Sequence, residues 1–303
     1  MRTVVVVSQD KSDIFFANQL MKSLNVVGVV IENQIPERDQ SPLLNKAIKY
    51  AGNPAIFSRK VWEVLDRKLV EGKQDYNRAE NALDFGEEGH FLSPVDDVAV
   101  LRTQGVNAIN APEYRDWIRS LRPDVIAVCG ASIMKAELLA VPTHGVLNLH
   151  GGLSQFYRGL FTTDWAIHNR EPERVGATVH FVSEGVDDGD VVYQGRPAIT
   201  ADDNPNSLYE KVVRLGVEMM IGAISDLEHS RCRPTKLTSK GQLYLHDRFT
   251  TQAKRATWRR IREGIITDYL ENKSERDKPV LAALINEFQL EETSETSRIP
   301  SAS

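Results

Sequence analysis

Short β-branched runs that alternate with helical patterns constrain this chain more than any other feature. Residues 3–7 read Thr-Val-Val-Val-Val, and 26–31 read Val-Val-Gly-Val-Val-Ile. Such continuous apolar runs suit strands buried on both faces of a parallel sheet. Residues 97–101, 124–129 and 145–149 repeat the theme. Helical patterns over 12–24 and 111–121 lie between strands, so βαβ units and an α/β, doubly wound, mostly parallel sheet of Rossmann-like type are expected. In such sheets ligands sit beyond the carboxyl ends of the strands.

The run at 145–149 ends in Asn148-Leu-His150 before a Gly151-Gly152 turn. Side chains two apart on a strand share a face. A carboxamide donor and an imidazole therefore reach one pocket, beyond a strand end. Downstream, Glu184-Gly185-Val186-Asp187-Asp188-Gly189-Asp190 supplies carboxylates on a Gly-bounded turn. A donor, an acid/base group and an orienting carboxylate suit attack on a carbonyl carbon. The same acidic residues also suit a plain turn between strands. They lack the ligand spacing of a calcium loop, so no metal is expected.

Five pieces in order, Asn148-Leu-His150, Tyr157-Arg158-Gly159, Trp165-Ala-Ile167, Gly176-Ala-Thr178-Val-His180 and Val186-Asp187-Asp-Gly-Asp190, carry a resemblance. Over about 98–227 the chain resembles the formyltransferases that use N10-formyltetrahydrofolate, a family that includes methionyl-tRNA, glycinamide ribonucleotide and sugar N-formyltransferases. The resemblance implies a transferase of one-carbon metabolism with N10-formyltetrahydrofolate as co-substrate. It implies Asn148, His150 and Asp187 as catalytic residues. It places Ser132, Ile133 and Met134 with Ser183, Glu184, Gly185 and Val186 around the folate, and Tyr157 and Arg158 at the acceptor. His180 alternates with apolar neighbours and is expected on the opposite face, in a structural role. The sequence departs from the family on the acceptor side: no Pro follows His150 in Gly151-Gly-Leu-Ser-Gln155, and Leu160-Phe-Thr-Thr163 replaces a Pro-bearing segment.

Rival classes fit less well. Ser8-Gln9-Asp10-Lys11-Ser12 has no glycine to admit a dinucleotide pyrophosphate. No Gly-x-Ser-x-Gly serves a serine hydrolase. A formyltetrahydrofolate hydrolase would use the same three residues with water, and a non-enzymatic folate-binding module is the remaining alternative. Among acceptors, a nucleotide-linked amino sugar is favoured over an N-hydroxyornithine-type amine or Met-tRNA. The segment after 230 reads as mainly helical rather than as the barrel of the tRNA enzymes, and the Gly/Ser-rich phosphate loop of the glycinamide enzymes is missing.

A net charge of −5 argues against general nucleic-acid binding. Two cysteines give no disulfide framework. No run approaches the roughly 18 apolar residues of a membrane span, and the first strand is too short for a secretory signal. A cytoplasmic enzyme is expected, working on a small amine, with a homodimer allowed. The expected organisation is a catalytic domain over 1–230 with a helical insertion at about 34–92, a mainly helical segment over 231–290, and a disordered tail over 291–303. A Ser207-x-x-Glu210 capping box and a stripe of Leu208, Val212, Leu215, Met219, Ala223 and Leu227 mark one long helix. A second helix over 250–270 carries Lys254, Arg255, Arg259, Arg260 and Arg262, a solvated face or a phosphate-holding one.

Overall fold

The computed structural model describes residues 1–33, 58, 62, 65, 83–93, 95–105, 107–183 and 185–289. The insertion expected at 34–92 lies mostly outside these residues, and the tail expected over 291–303 lies wholly outside them.

Strand β1 (Thr3–Val7) is fully buried, as its β-branched run requires. It pairs in parallel with β2 (Val26–Ile31) on one side and β4 (Val125–Cys129) on the other. β3 (Ala99–Arg102) adds to β2, and β5 (Val146–His150) adds to β4, both parallel. β7 (Ala177–Phe181) and β8 (Val191–Gly195) then extend the sheet antiparallel, giving the order β3-β2-β1-β4-β5-β7-β8. The mostly parallel doubly wound core is thus as the sequence indicates, within two residues at each expected strand end.

Helix α1 (Lys11–Ser23) and the 24-residue α5 (Pro205–Glu228) pack on one face of the sheet. α2 (Pro112–Ser120) and the short α3 (Ala136–Leu139) serve the other face, where Ile118 and Leu138 join Val4, Val6, Ile126 and Val128 in a second core. Leu208, Val212, Met219 and Ala223 of α5 are buried, while Leu215 and Leu227 pack at its margin.

The cap of α5 differs from the expected one. Asn204, not Ser207, is the N-cap, and its side chain accepts the N–H groups of Asn206 (2.9 Å) and Ser207 (3.3 Å). Ser207 Oγ receives the Asn204 N–H at 3.0 Å and so occupies the third helical position. Pro205 explains the shift: its fixed φ and missing N–H favour the first helical position, which sets the cap one residue before it.

Tyr157–Gly159 forms β6, and β9 (Gln242–Tyr244) pairs with it in parallel, Gly159 opposite Tyr244. Gly159 has φ +85, and a Cβ there would lie 2.1 Å from the Tyr244 carbonyl oxygen, so only glycine permits this approach. Helix α4 (Thr162–His168) follows β6. The helix expected over 250–270 is two helices, α6 (Thr251–Arg262) and α7 (Ile265–Glu271), divided by Gly264 at φ +80. A left-handed glycine ends a helix, a punctuation that the periodic pattern hides. After α8 (Lys273–Leu281), the chain returns to β8, where the Phe288 N–H donates to the Gln194 carbonyl at 2.8 Å. The segment after 230 is therefore woven into the seven-stranded sheet rather than appended to it. No helix among the described residues is long and apolar enough to cross a membrane.

Candidate functional site

Strands β5 and β7 build the site between them. Their antiparallel register sets Asn148 opposite His180 and His150 opposite Thr178. Two residues from each strand therefore line one face. Asn148 Nδ2 lies 3.2 Å from His180 Nε2 and donates to Asp187 Oδ1 at 3.4 Å. His180 Nδ1 lies 2.8 Å from the Phe181 carbonyl, an acceptor only, so Nδ1 carries the ring proton and Nε2 accepts from Asn148. The contact with the carboxylate fixes the same orientation of the amide, because a flipped Asn148 would set oxygen against oxygen.

His150 is 5% exposed and held at both ring nitrogens. Nε2 faces the Tyr157 carbonyl at 2.9 Å, and Nδ1 faces Asp187 Oδ2 at 3.3 Å. Both partners are acceptors, so whichever ring nitrogen bears hydrogen donates to its partner. Asp187 Oδ2 also receives the Gly159 N–H at 2.8 Å, and His180 Nε2 stands 3.6 Å from Oδ1. Burial alone would raise the Asp187 carboxyl; the charge of His150 and the Gly159 N–H outweigh it and hold the group well below the usual carboxylate range. Asp187 thus stays ionised beneath two imidazoles. Its backbone is left-handed at φ 49, a conformation Asp tolerates and one found at functional turns.

Neighbouring loops hold this turn in place. Arg158 donates to the Val186 carbonyl at 3.2 Å and to the Gly241 carbonyl at 3.0 Å, tying the acidic turn to the segment before β9. Asp188 accepts Ser183 Oγ at 2.6 Å and pairs with Lys240 at 2.6 Å. Its carboxyl is held below the usual range because Lys240 and Ser183 outweigh its partial burial. Asp188 therefore braces the loop, and Asp187 faces the cluster.

The other expected site residues take varied places. Tyr157 is 3% exposed, its ring stacked on Tyr244 at 5.7 Å and its hydroxyl bonded to Glu171 and Asn169. Burial pushes that phenol well above its ordinary value. Tyr157 thus meets the cluster through its carbonyl, with its side chain turned inward. Ser132, Ile133 and Met134 follow β4. Ile133 is exposed, whereas Met134 is buried in the second core. Val186 is half-buried and Gly185 exposed; Glu184 lies outside the described residues.

Two contributors escape a local reading. His180 was expected on the far face, yet register against β5 turns it into the cluster. The available signal was the echo of Asn148-x-His150 in Thr178-x-His180, the same two-residue period on a facing strand. Glu32, fully buried at the end of β2, accepts the Ser132 N–H at 2.7 Å and the Ile109 N–H at 3.4 Å, so it shapes the 130–134 loop. At the point between β1 and β4 where the strand order reverses, buried Asp13 accepts Ser8 and Ser12 hydroxyls at 2.5 and 2.9 Å. Gly130 gives it room, since a Cβ there would meet Asp13 Oδ2 at 1.9 Å. Burial raises that carboxyl to about 6.

A family model described as formyl transferase matches residues 79–224. A methionyl-tRNA formyltransferase of Caldanaerobacter subterraneus is 32% identical over 160 residues, covering 50% of this chain and 51% of the relative. The chain spans about half the length of the curated relatives it matches. Among solved structures, a 4-N formyltransferase from Francisella tularensis shares the fold at TM-score 0.50 and 16% identity, covering 86% of this chain and 87% of that one. A sugar N-formyltransferase from a Shewanella species does so at TM-score 0.50 and 16% identity, covering 86% and 88%.

Proposed function

We propose that this chain, similar to the formyl transferase family over residues 79–224, moves a formyl group from N10-formyltetrahydrofolate to a primary amine. The observation that carries this is the Asn148–His150–Asp187 cluster, a carboxamide donor and an imidazole over a buried, ionised carboxylate. The donor set fits the co-substrate: an electrophilic formyl carbon needs hydrogen-bond donors at its oxygen and a proton acceptor for the attacking amine. N10-formyltetrahydrofolate supplies that carbon. The exposed Ile133 and the main chain of Ser132, Ser183, Gly185 and Val186 would line its pterin edge.

Within the cluster the residues divide the work. Asn148 offers an N–H to the formyl oxygen by giving up its longer bond, the 3.4 Å contact with Asp187. His180 keeps the other N–H and so fixes the plane of the amide. The neutral form of His150, held beside Asp187, would take up the proton lost by the amine and pass it to N10 as the bond from the formyl carbon to N10 breaks, so that tetrahydrofolate leaves. Asp187 stabilises the imidazolium while the Tyr157 carbonyl holds the ring's other edge.

A nucleotide-linked amino sugar is the proposed acceptor. Two features support it: the acidic net charge of −5, unsuited to a long polyanion, and a fold shared over 86% of the chain with a sugar N-formyltransferase. Met-tRNA is the second reading, favoured by the names of the 31–32% identical relatives. The test offers N10-formyltetrahydrofolate with nucleotide-linked amino sugars, Met-tRNA, amino acids and N-hydroxyornithine, reading folate release by absorbance and product by mass. Turnover of a sugar nucleotide is expected. Turnover of Met-tRNA alone, or of free amino acids alone, would overturn the acceptor.

A further inference from the structure

An apolar lip stands directly over the cluster, and none of the residues placed around folate or in the cluster belongs to it. Gly159 is anchored to Asp187 by its N–H at 2.8 Å, and Thr162 Oγ1 is anchored to the Gly151 carbonyl at 2.5 Å, beside His150. Leu160 and Phe161 bridge these two anchors and so must cross the mouth of the site. Both are exposed, 50% and 41%, as is Leu245 at 53%. Phe161 has φ 57, a left-handed backbone uncommon for any non-glycine residue and costly for a bulky one. Its ring stacks on Phe249, centroids 4.7 Å apart at 23°, and lies 5.8 Å from the exposed His246 ring. The exposed Arg248 follows two residues later. An aromatic face held out at a strained position beside His246, on a turn that also carries the exposed Asp247 and Arg248, matches a flat ring joined to phosphates.

We infer that this lip is the acceptor's nucleotide subsite, with the base stacked on Phe161 between Leu160 and Leu245 and the diphosphate held by His246 and Arg248. The inference rests on the proposed nucleotide-linked acceptor and deepens it. From there the sugar amine extends past Gly159 to Asn148 and His150.

The experiment titrates the full chain with uridine diphosphate, thymidine diphosphate and inorganic pyrophosphate by calorimetry, for wild type, Phe161→Gly, Phe161→Tyr and Arg248→Ala. Glycine adopts the left-handed backbone without strain, so Phe161→Gly removes the ring and keeps the turn. At least one nucleoside diphosphate should bind, about tenfold or more weaker in Phe161→Gly and recovered in Phe161→Tyr, as the loss and return of a base–aromatic stack require. Pyrophosphate binding should fall in Arg248→Ala and be unchanged in Phe161→Gly, and N10-formyltetrahydrofolate affinity should be unchanged in all three variants. Equal nucleotide affinity in Phe161→Gly, or no nucleotide binding by wild type, overturns the subsite. Sugar-nucleotide formylation indifferent to Phe161→Gly overturns the subsite and leaves the acceptor standing. Nucleotide binding that depends on Phe161, without formylation of any sugar nucleotide, supports the subsite and overturns the acceptor.

Discussion

Replacing Asp187 with Asn isolates the charge at the centre of the cluster while keeping its shape. The carboxylate accepts the Gly159 N–H at 2.8 Å, His150 Nδ1 at 3.3 Å and Asn148 Nδ2 at 3.4 Å. An Asn amide retains one acceptor oxygen, so either the Gly159 N–H or Asn148 Nδ2 is set against another donor. Hydrogen bonds to a charged group contribute about 1.5–3 kcal/mol, and a stranded buried donor costs about 1–3 kcal/mol. The imidazolium of His150 loses its counter-charge as well. The combined loss, about 3–5 kcal/mol, corresponds to about a 10²- to 10⁴-fold fall in kcat/KM. The assay follows folate release under kcat/KM conditions, alongside a thermal melt to confirm folding. The fall should appear mainly in kcat, because the lost contact stabilises charge that develops during transfer. A folded Asp187→Asn enzyme keeping more than about a tenth of wild-type kcat/KM would refute this role for the carboxylate.

Asn148→Ala and His150→Ala should each lower kcat by about 10²–10³-fold, the loss typical of one removed donor, with folate affinity retained; turnover near wild type in either folded variant would remove that residue from the mechanism. Asp188→Asn should cost less than Asp187→Asn in the same assay, because Asp188 contacts Ser183 and Lys240 rather than the imidazoles; the reverse ranking would exchange their roles. Buried Asp13 gives a pH signature in stability. Its folded carboxyl sits at about 6, above the ordinary 3.8, so the unfolded chain ionises first and stability falls as pH rises from about 4 to 6. That displacement corresponds to about 3 kcal/mol, and Asp13→Asn should flatten the fall in denaturant melts between pH 4 and 7; an unchanged slope would show the carboxyl to be unshifted.

Much of this molecule was legible in its sequence. Continuous β-branched runs such as Thr3–Val7 identify buried parallel strands because both faces of such a strand are covered. Asn148 and His150 were readable as one unit because the strand period is local information. His180 was not, since its facing depends on pairing with β5, and register is set by contacts distant in sequence. Tyr157 was expected at the acceptor from its motif, yet the stack with Tyr244 across the β6–β9 pair turns it inward. The same pairing makes the segment after 230 part of the site's frame, through the Gly241 carbonyl on Arg158 and Lys240 on Asp188. Gly264 divides what periodicity shows as one helix, because a left-handed break leaves the apolar spacing almost intact.

Formyl transfer itself is tested most directly by N10-formyltetrahydrofolate carrying ¹³C at the formyl carbon, incubated with the enzyme with and without an acceptor amine and followed by NMR. With the amine present, the label should move into a formamide on that amine, and folate release should stop when the amine is withheld or His150 is replaced by Ala. Label recovered only as formate, at a rate indifferent to the amine, would make the protein a hydrolase; label remaining on the folate under every condition would make it a binding module.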